Sequence, residues 1–182
     1  MDSAAEARGL MAGAMIGLDE EGLSDPPTGR LAIVGLHRLG SREVLEEALA
    51  ACRDADPLRR QVGAAVLGQL GHHGIGFTPV FVDERYRALA DLLAAERDGA
   101  ADSDVIAETC FALGHLRDPR ATPALAALRG HPETRVRFAV AFALGGWSTP
   151  EAVAALNGLA EDPEETVRDW ATFGLAVRRE VE

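Results

Sequence analysis

Leu36, Leu67, Leu113, Leu144 and Leu175 stand 31, 46, 31 and 31 residues apart, and the odd interval is one period with 15 residues inserted. Around the last two the text repeats: Val136-Arg137-Phe138 through Leu144 returns as Val167-Arg168-Asp169 through Leu175. A fixed period in this range marks a repeat architecture. One 31-residue unit is shorter than the ~40 residues a chain usually needs to fold alone. Each unit must therefore bury its apolar side against its neighbours, and stability becomes a sum over adjacent contacts.

The spacing of apolar residues makes the units helical. Aromatics are only 5% of the chain while Ala and Leu dominate, which favours close-packed helices over a sandwich or barrel. Each unit reads as an A helix followed by a B helix. Residues 3–18 form a lone amphipathic helix through Ala4, Ala7, Leu10, Met11, Met15 and Leu18, placed to cap the N-terminal end. A loop to residue 29 follows, rich in Asp, Gly and Pro. The first unit has an A helix at 30–39 ended by Gly40 and a B helix at 42–52 capped by Ser41. The second opens at Asp56-Pro57 and closes at Gly71, and its insertion at 72–79 leads to a long B helix at 81–97. Ser103 is expected to cap the third A helix, and Ala121–Leu128 is a short B helix. The fourth unit runs from Thr134 to Leu159; the fifth begins at Asp162-Pro163 without a B helix. One domain over 1–182 results, with residues 1–29 as cap and loop and 30–182 as repeats. Helices packed ~9 Å apart give five units a length of roughly 45 Å.

The units resemble HEAT repeats of the bilin-lyase subtype, with the pattern Asp-Pro-x-Val-Arg-x-x-Ala-x-x-Ala-Leu-Gly-x-Leu. It stands here as Asp56-Pro57 with Arg60, Gly63-Ala64, Val66-Leu67-Gly68 and Leu70. It stands again as Asp162-Pro163 with Val167-Arg168, Phe173-Gly174 and Leu175, and Leu113-Gly114-His115-Leu116-Arg117-Asp118-Pro119 is a typical link. Ordering and spacing also look like short bacterial HEAT-repeat proteins of unassigned activity. The resemblance implies a right-handed all-α superhelix (a HEAT-type solenoid) of about five hairpins, with B helices on the concave side and proteins as the usual ligands.

Read on that frame, Glu43, Glu46, Glu47, Glu84, Arg87 and Asp91, off the apolar stripes of the first two B helices, form an acidic surface suited to a basic peptide or protein segment. The alternative to a binding scaffold is an enzyme or auxiliary factor resembling bilin lyases or HEAT-like DNA glycosylases. For the latter, Asp169 beside Trp170, with Trp147, is the constellation to consider, but both tryptophans read as core.

Other candidates have plainer readings. The Asp-Pro steps at 56, 118 and 162 are helix caps with Pro at the first turn. Arg60, Arg137 and Arg168 recur with the period and are expected to pair with an Asp near a neighbouring helix start. His72-His73 lies in a glycine-rich loop without the further ligands zinc needs. Cys52 and Cys110 read as buried apolar residues. No nucleotide-binding loop, catalytic triad or metal motif is recognisable, so neither cofactor nor metal is expected. Eighteen basic residues, all Arg, face 29 acidic ones, for a net charge of −11. That balance speaks against nucleic acid or anionic membrane as a partner. Without a basic start, an uninterrupted leader or a spanning apolar run, the expected setting is the cytoplasm.

Overall fold

A computed structural model of the chain describes residues 3–19, 28–71, 80–98 and 102–179. These form helices and no strand: α1 Ser3–Asp19, α2 Thr28–Leu39, α3 Arg42–Ala51, α4 Pro57–Gln69, α5 Val82–Asp98, α6 Ser103–Leu116, α7 Thr122–Ala126, α8 Thr134–Leu144, α9 Pro150–Leu159 and α10 Glu165–Arg179. A 3-10 turn, Pro119–Ala121, precedes α7. The 72–79 insertion, with His72-His73, lies outside the described residues.

Helix starts follow the local chemistry. The Asp56, Asp118 and Asp162 carboxylates accept the backbone N–H two residues on, at 2.9, 3.0 and 3.0 Å. At α6 the cap is Asp102, not Ser103: its Oδ1 accepts from the N–H of both Asp104 and Val105. A carboxylate there satisfies two orphan donors and also meets the positive end of the helix dipole.

Arg60, Arg137 and Arg168 each lock the corner before their own helix in the same way. Arg60 Nη1 donates to the carbonyls of Asp54 and Ala55, Arg137 Nη1 to those of His131 and Pro132, and Arg168 Nη1 to those of Asp162 and Pro163. The side chain thus ties the first turn of its helix to the corner five and six residues before it. Arg137 Nε also reaches the buried Asp162 of the next unit at 2.7 Å. Arg60 departs from the expected Asp and takes Glu96 at 2.7 Å, whose other oxygen accepts the Asp102 N–H at 3.0 Å. The insertion displaces the next helix start, and Glu96, near the end of α5, bridges the distance.

Successive A helices touch backbone to backbone. A Cβ placed on Gly68 would lie 2.8 Å from Ala112 Cα, on Gly114 2.7 Å from Ala143 Cα, and on Gly174 2.8 Å from Gly145 Cα. Glycine is required there because any side chain would separate α4 from α6, α6 from α8, or α8 from α10. Across the other row contact is looser, and α3 meets α5 only sparsely. The row that carries these glycine contacts, α2, α4, α6, α8 and α10, is termed the inner row, and α3, α5, α7 and α9 the outer row. At the N-terminal end α1 packs on α2, α3 and α4, with Leu10 seated over Gly35. One buried cluster runs from Ala7 on α1 to Ala171 on α10.

One fixture has no counterpart in the repeat pattern. Arg85 on α5 is fully buried, and its guanidinium donates to Leu67 O (2.6 Å), Gly68 O (2.8 Å), Val80 O (3.0 Å) and Leu70 O (3.3 Å). Burial lowers its pKa to about 10, so it remains cationic at neutral pH. It supplies the donors that the last carbonyls of α4 lack.

Candidate binding surface

The repeat ruler assigns one position on each inner helix to the solvent-facing row Val34, Ala65, Phe111, Phe142 and Phe173. Where the row carries phenylalanine, aromatic rings pack along the surface. Phe111 meets Phe142 edge-on at 5.3 Å and Phe138 at 5.9 Å; Trp170 meets Phe138, Phe142 and Phe173 at 5.8, 5.6 and 5.8 Å. These are the separations at which aromatic quadrupoles attract. Where the row falls to Ala65 and Val34, the surface sinks.

The depression is a groove of about 760 Å³ that crosses four successive inner helices, α2, α4, α6 and α8. Ile33, Val34, Leu58, Ala65 and Ala112 provide its apolar lining. Gln61, Gln69, Asp104, Glu108, His115 and Arg135 provide the polar part. His37 bonds the Ala65 carbonyl at 2.9 Å, which fixes the floor of the groove between α2 and α4. Arg135 is anchored to Asp104 at 2.8 Å. A second cleft of about 410 Å³ opens at the C-terminal end, between Phe142, Trp170 and Phe173 over Gly114, Gly145 and Gly174. His115 borders both.

The residues singled out in the sequence sit elsewhere. Glu43, Glu46 and Glu47 are on α3, and Glu84, Arg87 and Asp91 on α5, in the outer row. Several have local partners. Arg42 holds Glu84 through two bonds of 2.5 and 3.1 Å, which lowers the pKa of the Glu84 carboxyl. The Ser41 hydroxyl lowers that of Glu43, which also takes a 3.4 Å bond from Ser3, and Glu47 lies 3.9 Å from Arg8. Asp91 borders a cleft of about 500 Å³ between α3 and α5, floored by Leu49 and Leu92.

Trp147 is half-buried, donates to Ala143 O at 3.1 Å and carries the Arg117 guanidinium 5.0 Å over its ring. Trp170 is not core: it is 38% exposed, whereas Ala139 in the equivalent position is sealed. The indole faces α8, where Phe138 and Phe142 already fill the space, and is pushed onto the inner surface. Asp169 beside it is exposed. No cluster of three metal-ligating side chains occurs among the described residues, and no helix among them is long and apolar enough to cross a membrane. The inner row escaped the sequence reading, although its signal was there: the change along the ruler from Val34 and Ala65 to phenylalanine at 111, 142 and 173.

Residues 88–176 match the family described as HEAT repeats. The comparison with curated proteins finds no match. Among solved structures, the X-ray structure of YibA from Escherichia coli superposes with a TM-score of 0.64 at 21% identity. The match covers 98% of this chain and 64% of YibA, so the chain spans just under two thirds of that protein's length. A likeness at that identity speaks for the fold: an all-helical repeat solenoid.

Proposed function

From a chain that carries HEAT repeats over residues 88–176, we propose a non-catalytic interaction module that receives a segment of another protein on its inner helix row. The observation that carries the reading is the groove of about 760 Å³ spanning four inner helices, opened by Ala65 where later units have phenylalanine. Its floor is held by backbone-to-backbone packing and by the His37 bond, so it is preformed, and a rigid receptor loses little freedom on binding. The net charge of −11 favours a basic segment and speeds its encounter.

Random-peptide display tests this. Wild type should enrich a consensus, and Ala65→Phe, which extends the aromatic row into the groove, should lose it while melting within a few degrees of wild type. A second placement, on the outer acidic surface of Glu43, Glu46, Glu47, Glu84, Arg87 and Asp91, is favoured by the cleft between α3 and α5. It predicts the reverse: the consensus survives Ala65→Phe and disappears in the triple variant Glu43, Glu46, Glu47→Ala. Failure of wild type to enrich any sequence would defeat both.

Catalysis of the bilin-lyase or glycosylase kind has less support. Burial pushes both thiols, Cys52 and Cys110, up to about 12, which makes them poor nucleophiles. Acids Asp104 and Glu108 on the inner surface, with exposed Asp169 near its end, repel a phosphate backbone. Two free, buried cysteines fit the reducing cytoplasm.

A further inference from the structure

Helix α4 is packed by α2 and α3 on one side and α6 on the other. From residue 61 to 69 it is buried at every position but three, Gln61, Ala65 and Gln69. Spaced by four, these fall in one stripe along the helix, and all three line the groove of about 760 Å³. The floor of the groove is therefore a carboxamide, a methyl and a carboxamide. At 1.5 Å per residue the two glutamines stand about 12 Å apart. Neither carboxamide has a hydrogen-bond partner among the described residues. The same stripe reads Phe138, Phe142 and Gly146 in the next unit but one and Asp169, Phe173 and Val177 in the last, so the pair is a feature of α4 and not of the repeat.

Resting on the inner-row reading above, we infer that the occupant is an extended segment of a partner protein, held through its main chain by Gln61 and Gln69. A carboxamide covered by a partner loses its water, and each bond then left unmade costs affinity. Its mate must offer one acceptor and one donor side by side. A residue in an extended strand does so, because its C=O and N–H lie on one edge. Such edges recur every second residue, and four residues at about 3.3 Å span about 13 Å, close to the separation of the two glutamines. A helix offers no such mates, since its interior N–H and C=O groups bond each other. Between the two anchors the segment passes over Ala65, where the phenylalanine of later units would stand in its way. With one backbone edge turned to the floor, its side chains point alternately to the two walls. The α2 wall is apolar through Ile33 and Val34, so every second side chain of the segment is apolar.

Two displayed libraries of random sequences of about eight residues test this, one unconstrained and one presented on the face of a stable helix. Wild type should enrich the unconstrained library, with apolar residues at alternate positions, and leave the helical one unselected. A synthetic copy of an enriched peptide is then scanned by replacing each amide with an ester, which removes one N–H and keeps the side chains. In fluorescence anisotropy with wild type, two replacements about four residues apart should each weaken binding about tenfold. Gln61→Leu and Gln69→Leu should each weaken the parent peptide about tenfold, and each should silence one of the two ester effects. Both side chains are partly exposed, so melting should stay within a few degrees of wild type. Selection of the helical library, an ester scan without effect, or wild-type affinity in both leucine variants overturns the main-chain reading. In that case loss of binding in Ala65→Phe leaves the inner groove standing, and binding that survives Ala65→Phe removes the groove as well. Enrichment from neither library defeats both.

Discussion

At the scale of single residues, charge is used mainly to close backbone corners. Arg85 is the extreme case, a fully buried cation whose acceptors are four main-chain carbonyls. Arg85→Met keeps the volume but leaves those carbonyls without donors, and should cost about 3 kcal/mol or more in urea unfolding. Asp162 gives a pH-dependent counterpart. The hydrogen bond from Arg137, aided by the Glu164 N–H, lowers its folded-state pKa. The folded protein therefore holds fewer protons there than the unfolded chain. The resulting stability is present above the ordinary carboxylate value, near 4, and is lost as pH falls through the depressed one. Asp162→Asn should thus be about 2 kcal/mol less stable at neutral pH, with the gap to wild type closing as pH falls below the ordinary carboxylate range.

At the scale of elements, the inner row depends on absent side chains. Gly114→Ala would gain helix propensity worth about 1 kcal/mol. It would also set a methyl 2.7 Å from Ala143 Cα, a backbone atom that cannot move without shifting α8. Overpacking of that kind costs about 1–3 kcal/mol, so net destabilisation is expected, with exposure of the α6–α8 seam to hydrogen exchange. Gly158→Ala on α9 is the control: a methyl there meets nothing within 4 Å. That variant should gain about 0.5–1 kcal/mol in the same unfolding assay. The opposite signs of two Gly→Ala changes separate close approach from propensity.

For the whole molecule, stability is distributed along a line rather than around a centre. The helices with inner neighbours on both sides, α4, α6 and α8, should exchange their amides most slowly, and α10, covered on one side by α8 and α9, faster. Hydrogen exchange measured by mass spectrometry would show this gradient; uniform protection along the chain would mean a single cooperative core. The groove of about 760 Å³ crosses these three helices and α2.

The recurrence of leucine every 31 residues, the Asp-Pro caps and the periodic arginines are local facts. They determined by themselves that the chain is a stack of helical units, because a unit so short has no other way to bury its apolar side. Tertiary structure decided which row of helices packs backbone to backbone. That choice rests on the sub-3 Å approach of Gly68, Gly114 and Gly174 to their neighbours, a property of helix pairs that no one helix displays. It likewise buried Arg85, because the α4 carbonyls lie where only packing could bring them. And it turned Trp170 outward, since whether an indole fits inside is settled by the phenylalanines already there, Phe138 and Phe142.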